Sequence, residues 1–141
     1  MFEWCPFVGN SSADHGTIAL TKTSSASINQ WTFCGNSTTF GGTLSYESSC
    51  LFDVENTIIA FGTRGSAVAG ESGEAVPSCC DIFGNAGGDW IGPIGGQLGM
   101  NGNICADLLF VDPAAEDFRL LEGSPCAPFT PPNPACDLIG A

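Results

Sequence analysis

Two stretches decide the fold: Phe7-Val-Gly-Asn-Ser-Ser12 and Phe33-Cys-Gly-Asn-Ser-Thr38, one pattern repeated 26 residues apart. The same slot is filled by Ile58-Ile-Ala-Phe61 at an offset of 25 and by Ile82-Phe-Gly-Asn85 at 24. Between them, Gly16-Thr-Ile-Ala-Leu20 parallels Gly42-Thr-Leu-Ser-Tyr46 and Gly65-Ser-Ala-Val-Ala69. A fixed period of this length marks a repeat architecture. Four passes are visible, at about 2–26, 27–50, 51–75 and 76–92.

Each pass holds two or three short alternating strands separated by Gly/Asn/Ser corners. No pass has a 3.6-residue apolar spacing long enough for a crossover helix. Leu-x-x-Leu-x-Leu spacing is also missing, so the unit is expected to be one coil of a β-helix. Equivalent residues then stack at strand spacing, about 4.8 Å per coil. Phe7, Phe33, Ile58 and Ile82 are expected to form one inward ladder, with Asn10, Asn36 and Asn85 at a repeated corner. Cys5, Trp31, Asn56 and Cys80 fall in another column, which sets Cys5 and Cys80 about 14 Å apart, too far to bridge.

Composition agrees. Gly and Pro together make 28 of 141 residues, poor helix material well suited to tight turns. With 43% hydrophobic and 13% charged residues the chain can bury a core. Three Lys+Arg against fifteen Asp+Glu give a net charge of −12, which excludes a nucleic-acid-binding patch. The apolar runs Ile58–Phe61 and Leu108–Val111 are too short to span a bilayer. The acidic start Met-Phe-Glu-Trp does not read as a signal peptide, so a fragment or processed segment is expected. Eight cysteines without a Cys-x-x-Cys, beside the single His15, point to disulfides in an oxidising compartment rather than zinc. The bridge singled out is Cys126–Cys136, closing a short proline-stiffened loop.

Several later stretches resemble the C-terminal ends of bacterial right-handed parallel β-helix repeat proteins. They are Glu55-Asn-Thr-Ile-Ile-Ala-Phe61, Cys79-Cys-Asp-Ile-Phe-Gly-Asn-Ala-Gly-Gly-Asp-Trp90, Gly102-Asn-Ile-Cys-Ala-Asp-Leu-Leu-Phe-Val-Asp-Pro113, Asp117-Phe-Arg-Leu-Leu-Glu-Gly-Ser-Pro-Cys126 and the final Leu138-Ile-Gly-Ala141. The resemblance implies an all-β, right-handed parallel β-helix of about four coils (1–92), closed within the same domain by an irregular C-terminal cap (93–141). Two departures stand out. Asp107-Leu-Leu-Phe110 replaces the usual Asp-Pro-Leu-Phe, and Pro93 stands where the family often has a cysteine, so a bridge to Cys79 or Cys80 is expected to be missing. The family is mostly exported or surface-attached. An open coil end exposes strand edges and an apolar cross-section that invite stacking.

Candidate sites follow from the same coils. Carbohydrate chemistry, as in pectate lyases and polygalacturonases, would draw on Asp14, His15, Arg64 and Asp81. No Asp-Asp pair exists, however, and the plainer reading of a polar turn and a solvated arginine is preferred. His15 beside Asp14 lacks the Gly-x-Ser-x-Gly context of a hydrolase triad. Asp81, Asp89, Asp107 and Asp112 are oxygen-rich candidates for a structural Ca²⁺, with ordinary turns preferred because their spacing is not an EF-hand's. Of Trp4, Trp31, Trp90 and Tyr46 as sugar platforms, packing is preferred for Trp4 and Trp31, and Trp90 is the expected exposed aromatic and ligand contact. Asn10 and Asn36 head Asn-Ser-Ser and Asn-Ser-Thr glycosylation triplets.

The function expected first is a non-catalytic extracellular or cell-surface module, structural or adhesive, that associates end to end through its open coil. No cofactor is required. The alternative is a lyase-like, hydrolase-like or polysaccharide-binding solenoid fragment.

Overall fold

A computed structural model describes residues 5–141, so Trp4 lies outside the described residues. The strands are β1 (Pro6–Val8), β2 (Ser11–Ser12), β3 (Ile18–Leu20), β4 (Ser25–Asn29), β5 (Thr32–Cys34), β6 (Ser37–Tyr46), β7 (Leu51–Glu55), β8 (Ile58–Ala60), β9 (Arg64–Gly70), β10 (Glu74–Ser78) and β11 (Asp81–Phe83). They stack into three parallel faces: β1-β5-β8-β11, then β2 and β3 with β6 and β9, then β4-β7-β10. The chain is a parallel β-solenoid of about three turns. Of the expected fourth coil only β11 forms, extended by a parallel bridge from Asp81 to Ile104. Beyond Phe83 the sequence Gly84-Asn-Ala-Gly-Gly88 has no alternating apolar residues to build a second face.

The corners explain why such a sequence coils. Between its third and first faces the chain turns at Gln30, Asn56 and Cys79, with φ of +57°, +46° and +48°. Between first and second faces it turns at Gly9, Gly35, Phe61 and Gly84, with φ from +54° to +72°. One left-handed residue bends the strand direction sharply without a loop, which suits glycine and is tolerated by asparagine. Turn boundaries therefore fall at Gln30, Asn56 and Cys79 rather than after residues 26, 50 and 75.

The inward ladder is Phe7–Phe33–Ile59–Ile82, one residue off the expected column. Ile58 instead pairs Thr32 and Asp81 on the outer side, and Thr57, not Asn56, aligns with Cys80. The offset between the second and third turns is 26, because Asn56 is spent on the corner. Phe7 stacks on Phe33 at 5.0 Å, and Trp31 lies 5.1 Å from Phe7, so Trp31 packs against the core as preferred.

Asparagines hold the corner between coils. Asn36 donates through Nδ2 to the Phe7 carbonyl at 2.9 Å, and its Oδ1 accepts from the Asn10 N–H at 2.9 Å. Asn85 does the same two turns on, donating to the Ile59 carbonyl and accepting from the Gly62 N–H. Gly62 has no side chain because a Cβ there would stand 2.7 Å from the Asn85 Oδ1. Asn36 is only 1% exposed with its amide bonded inward, so it is unavailable as a glycan acceptor in the folded chain, whereas Asn10 is exposed.

The interior of the coils is one core, including Ile28, Leu44, Phe52 and Val54. A short 3-10 turn, Gly92–Ile94, seals its far end with Ile94 and Trp90. That end also satisfies the last strand edges. Gln97 and Asn103 donate side-chain amides to the Ala75 and Pro77 carbonyls, and Gly88 accepts from the Ala67 N–H.

The segment 93–141 was expected to close the solenoid's end, and its first part does so through Ile94, Gln97 and Asn103. The rest runs back along the outside of the first face, through the antiparallel pair β12 (Phe110–Asp112) and β13 (Asp117–Leu120). A second core forms there from Cys34, Ile58, Ala60, Leu108, Phe110 and Ile139. The last residues dock on the second and third coils: Gly140 donates to the Asn56 carbonyl and Ala141 to the Thr32 hydroxyl. Gly140 has a φ of +91°, and a Cβ would come within 2.5 Å of Ile58, so only glycine fits.

Replacing Asn85 by Ala strands a buried N–H and a buried carbonyl together. It is expected to cost about 2–3 kcal/mol of unfolding free energy, read from denaturant midpoints at unchanged m-value.

Candidate functional site

The outer side of the second face carries a groove of about 660 Å³. Strand alternation builds its floor. Leu44 and Val68 belong to the inner side, so Ser45 and Ala69, the next residues along, align in register on the outer side as small residues of the groove. One wall is the turn carrying Asp14 and His15, beside Gly41 of the irregular stretch of β6. The other is the corner at Lys22, Glu47, Ser48 and Glu71. The Gly16 N–H donates to the Ser45 hydroxyl at 2.8 Å and holds the first wall against the floor.

The groove's charges are mostly negative, with three carboxylates against one ammonium. The Glu47 carboxylate lies 4.0 Å from His15 Nε2 and accepts from the Lys22 N–H. Both side chains of that pair are about half exposed (53% and 55%), so it is a solvated contact, worth little to stability. Tyr46 is 5% exposed; a Cβ on Gly70 or Gly73 would strike its ring. Burial, and secondarily Glu74, raise its phenol above the ordinary range.

The four catalytic candidates are not one site. Asp14 and His15 share the groove, but Arg64 reaches out to the Thr39 hydroxyl, and Asp81 is buried on the outside of the first face. Glu47, Glu71 and Lys22 were missed because they sit on turns of different coils. Only the lengths of the corners, which sequence periodicity leaves uncertain, bring them together.

The calcium candidates serve turns. Asp89 accepts from the Gly84 and Asn85 N–H groups and from the Asn85 amide, Asp112 from the Ala115 N–H, and Asp107 from the Leu109 N–H. Among the described residues no group of three or more His, Cys, Asp or Glu side chains is placed to hold a metal ion. Trp90 is not the expected exposed aromatic: it is 8% exposed, and its indole N–H donates to the Ile104 carbonyl at 3.1 Å. The chain folds back over it to seal the coil, which uses the ring's area for packing.

The expected Cys126–Cys136 bridge is replaced by Cys79–Cys136, with Cα atoms 5.7 Å apart. Cys79 occupies a left-handed corner and faces Cys136 across Gly102, where a Cβ would meet the Cys136 sulfur. The missing family cysteine at Pro93 therefore does not leave Cys79 unpaired. Cys126 points inward, and its thiol donates to Asp81 Oδ2 at 3.3 Å. Asp81 also accepts from the Ala106 N–H, so one buried carboxyl joins β11 to two parts of the returning segment. Burial pushes its pKa from 3.8 up to about 6, despite those hydrogen bonds, with Asp89 and Asp107 adding repulsion. Burial likewise raises Cys126, and takes Cys80 to about 12, so neither thiol is a nucleophile at neutral pH.

A raised carboxyl pKa means the folded chain holds that proton more tightly than the unfolded one. Stability is then lowest, for this group, above about pH 6, and rises as pH falls from about 6 toward 4. A shift of about two units corresponds to about 3 kcal/mol at most. Asp81→Asn is expected to flatten that slope, measured as melting temperature against pH. Cys136→Ser, by opening the loop that Cys79 closes, is expected to cost about 3–4 kcal/mol, and non-reducing peptide mapping is expected to join 79 to 136.

Compared with protein-family models, with curated proteins and with solved structures, the chain has no match.

Proposed function

We propose that this chain is a non-catalytic extracellular or cell-surface β-solenoid module with a structural or adhesive role, of the right-handed kind found in bacterial repeat proteins. One observation carries the reading: the two ends of the solenoid differ. The far end is sealed by Trp90, Ile94 and the amides of Gln97 and Asn103. At the near end, no described strand pairs with the outer edges of β1, β2, β3 or β4. Phe7, Ile18, Leu20, Ala26 and Trp31 are only partly buried there. Parallel edges of this kind template further pairing. The disulfide supports an oxidising compartment.

One sealed end also changes the form of assembly. Head-to-tail stacking needs two open ends, so copies of this chain meet only first coil to first coil, and the contact closes at two. Mass photometry with negative-stain microscopy tests this. Doubled particles at raised concentration are expected. Filaments would contradict the sealed end, and a monomer at every concentration would remove the stacking half of the reading.

The groove on the second face favours a second reading, saccharide binding. Its floor of small residues and its rim of hydroxyls and charged groups suit a polyhydroxylated ring more than an apolar ligand.

A further inference from the structure

The returning segment is tied to the coils at few points. Ile104 is fixed: its N–H donates to the Cys80 carbonyl and its carbonyl accepts from the Ile82 N–H. Cys136 is fixed by its disulfide to Cys79. Between them, residues 105–127 carry the β12–β13 hairpin, and among the described residues no backbone hydrogen bond joins that stretch to a coil. Its polar contacts to the solenoid are the Ala106 N–H and the Cys126 thiol, both donating to Asp81, and a 3.9 Å contact from the Cys105 thiol to Asp89. Packing of Leu108 and Phe110 in the second core, with Ile58 and Ala60, supplies the rest.

Asp81 is a poor clamp when charged. It is 0% exposed, and the groups around it bring no positive charge. Its own strand end brings Cys80, β8 the uncharged Ile58, and the turn after β11 Asp89; the segment brings Cys105, Asp107 and Cys126. The three basic residues are engaged elsewhere: Lys22 in the groove, Arg64 at Thr39 and Arg119 at Asp117. An ionised Asp81 is therefore a buried charge facing other carboxylates, and admitting water relieves it.

We propose that residues 105–127 form a pH-controlled strap over the first face, shut when Asp81 is protonated and loosened when it ionises. Opening leaves the two anchors, Ile104 and the Cys79–Cys136 bridge, in place. It uncovers the apolar outer side of β5 and β8 at Cys34, Ile58 and Ala60. A stretch held by so few backbone bonds opens at lower free energy than the solenoid unfolds. With an Asp81 pKa of about 6 when shut and the ordinary 3.8 when open, the open fraction grows about tenfold from pH 5 to pH 7.5.

The test is hydrogen exchange of the full chain at those two pH values, read by mass spectrometry, with each rate divided by that of the unfolded chain at the same pH. Peptides within 105–127 are expected to lose about tenfold in protection from pH 5 to pH 7.5. At both pH values they are expected to exchange ahead of 52–60 in the coils. Asp81→Asn, neutral throughout, is expected to hold the strap's protection constant over that range. Asp107→Asn removes a repelling carboxylate and is expected to shrink the change. Glu116→Gln, at an exposed position of the hairpin turn, is expected to leave it unaltered.

One shared protection factor for 105–127 and 52–60 would mean that the segment leaves only when the solenoid unfolds, and would overturn the strap. Protection independent of pH in the unaltered chain, or a pH dependence kept by Asp81→Asn, would overturn the role of Asp81. Should Asp81→Asn fail to fold, Asp107→Asn and Glu116→Gln decide, and equal effects of the two would overturn it.

Discussion

The structure depends on one constraint: every coil must present its backbone in register to the coil before and after it. Parallel ladders on three faces repeat at about 4.8 Å, so a corner that gained or lost height would break all of them at once. Single left-handed residues meet that demand because they bend the chain without lifting it. This is why Gln30, Asn56 and Cys79 align although they share no chemistry, and why Phe61 holds a φ of +54° in a column otherwise made of glycine. The bulky Phe61 is retained because its ring packs edge-on against Phe83 and Phe110, which offsets the backbone strain.

The same constraint explains what could be read from the sequence. Phe-x-Gly-Asn at 33 marks a strand, a left-handed corner and an inward asparagine as a unit, and at 7 the strand and the corner recur with Asn10 exposed. The ladder slipped by one at Ile58 because the aligned letters Ile58-Ile59 fit either register. Only the hydrogen bond of the Asn56 corner, and the amide of Asn85 reaching back to Gly62, select Ile59. Trp90 and the Cys126 pairing were misread for one reason. Both depend on the returning segment, whose path across the first face has no periodicity to betray it. The groove was half legible: Asp14-His15 was visible as a polar turn, but its partners lie about one and two coils away.

That returning segment does more than cover a face. It buries the outward side chains of β5, β8 and β11, turning a two-sided sheet into one with a core on each side. Thr32, Ile58 and Asp81 occupy equivalent outward positions in successive coils, yet they differ in polarity because each meets a different part of the segment: Ala141, Gly140 and Ala106. A buried aspartate is a costly choice there. A hydrophobic residue would pack more cheaply but could not accept from both the Ala106 N–H and the Cys126 thiol, and so would not specify where the segment lies.

The placement of the groove follows from the same division. The first face is covered and the far end is sealed, which leaves the second and third faces as the open sides of the described solenoid. The third presents Ser25, Ser27, Asn29, Leu51, Asp53 and Glu55 outward from regular five-residue strands paired without a register shift. The second is where the coils differ in length: four residues from Thr38 to Gly41 in the second turn stand against Gly65 alone in the third. A perfect repeat would give this face the same ladder as the third. The surplus residues raise one wall beside the Asp14–His15 turn, so the concavity exists because the periodicity fails there.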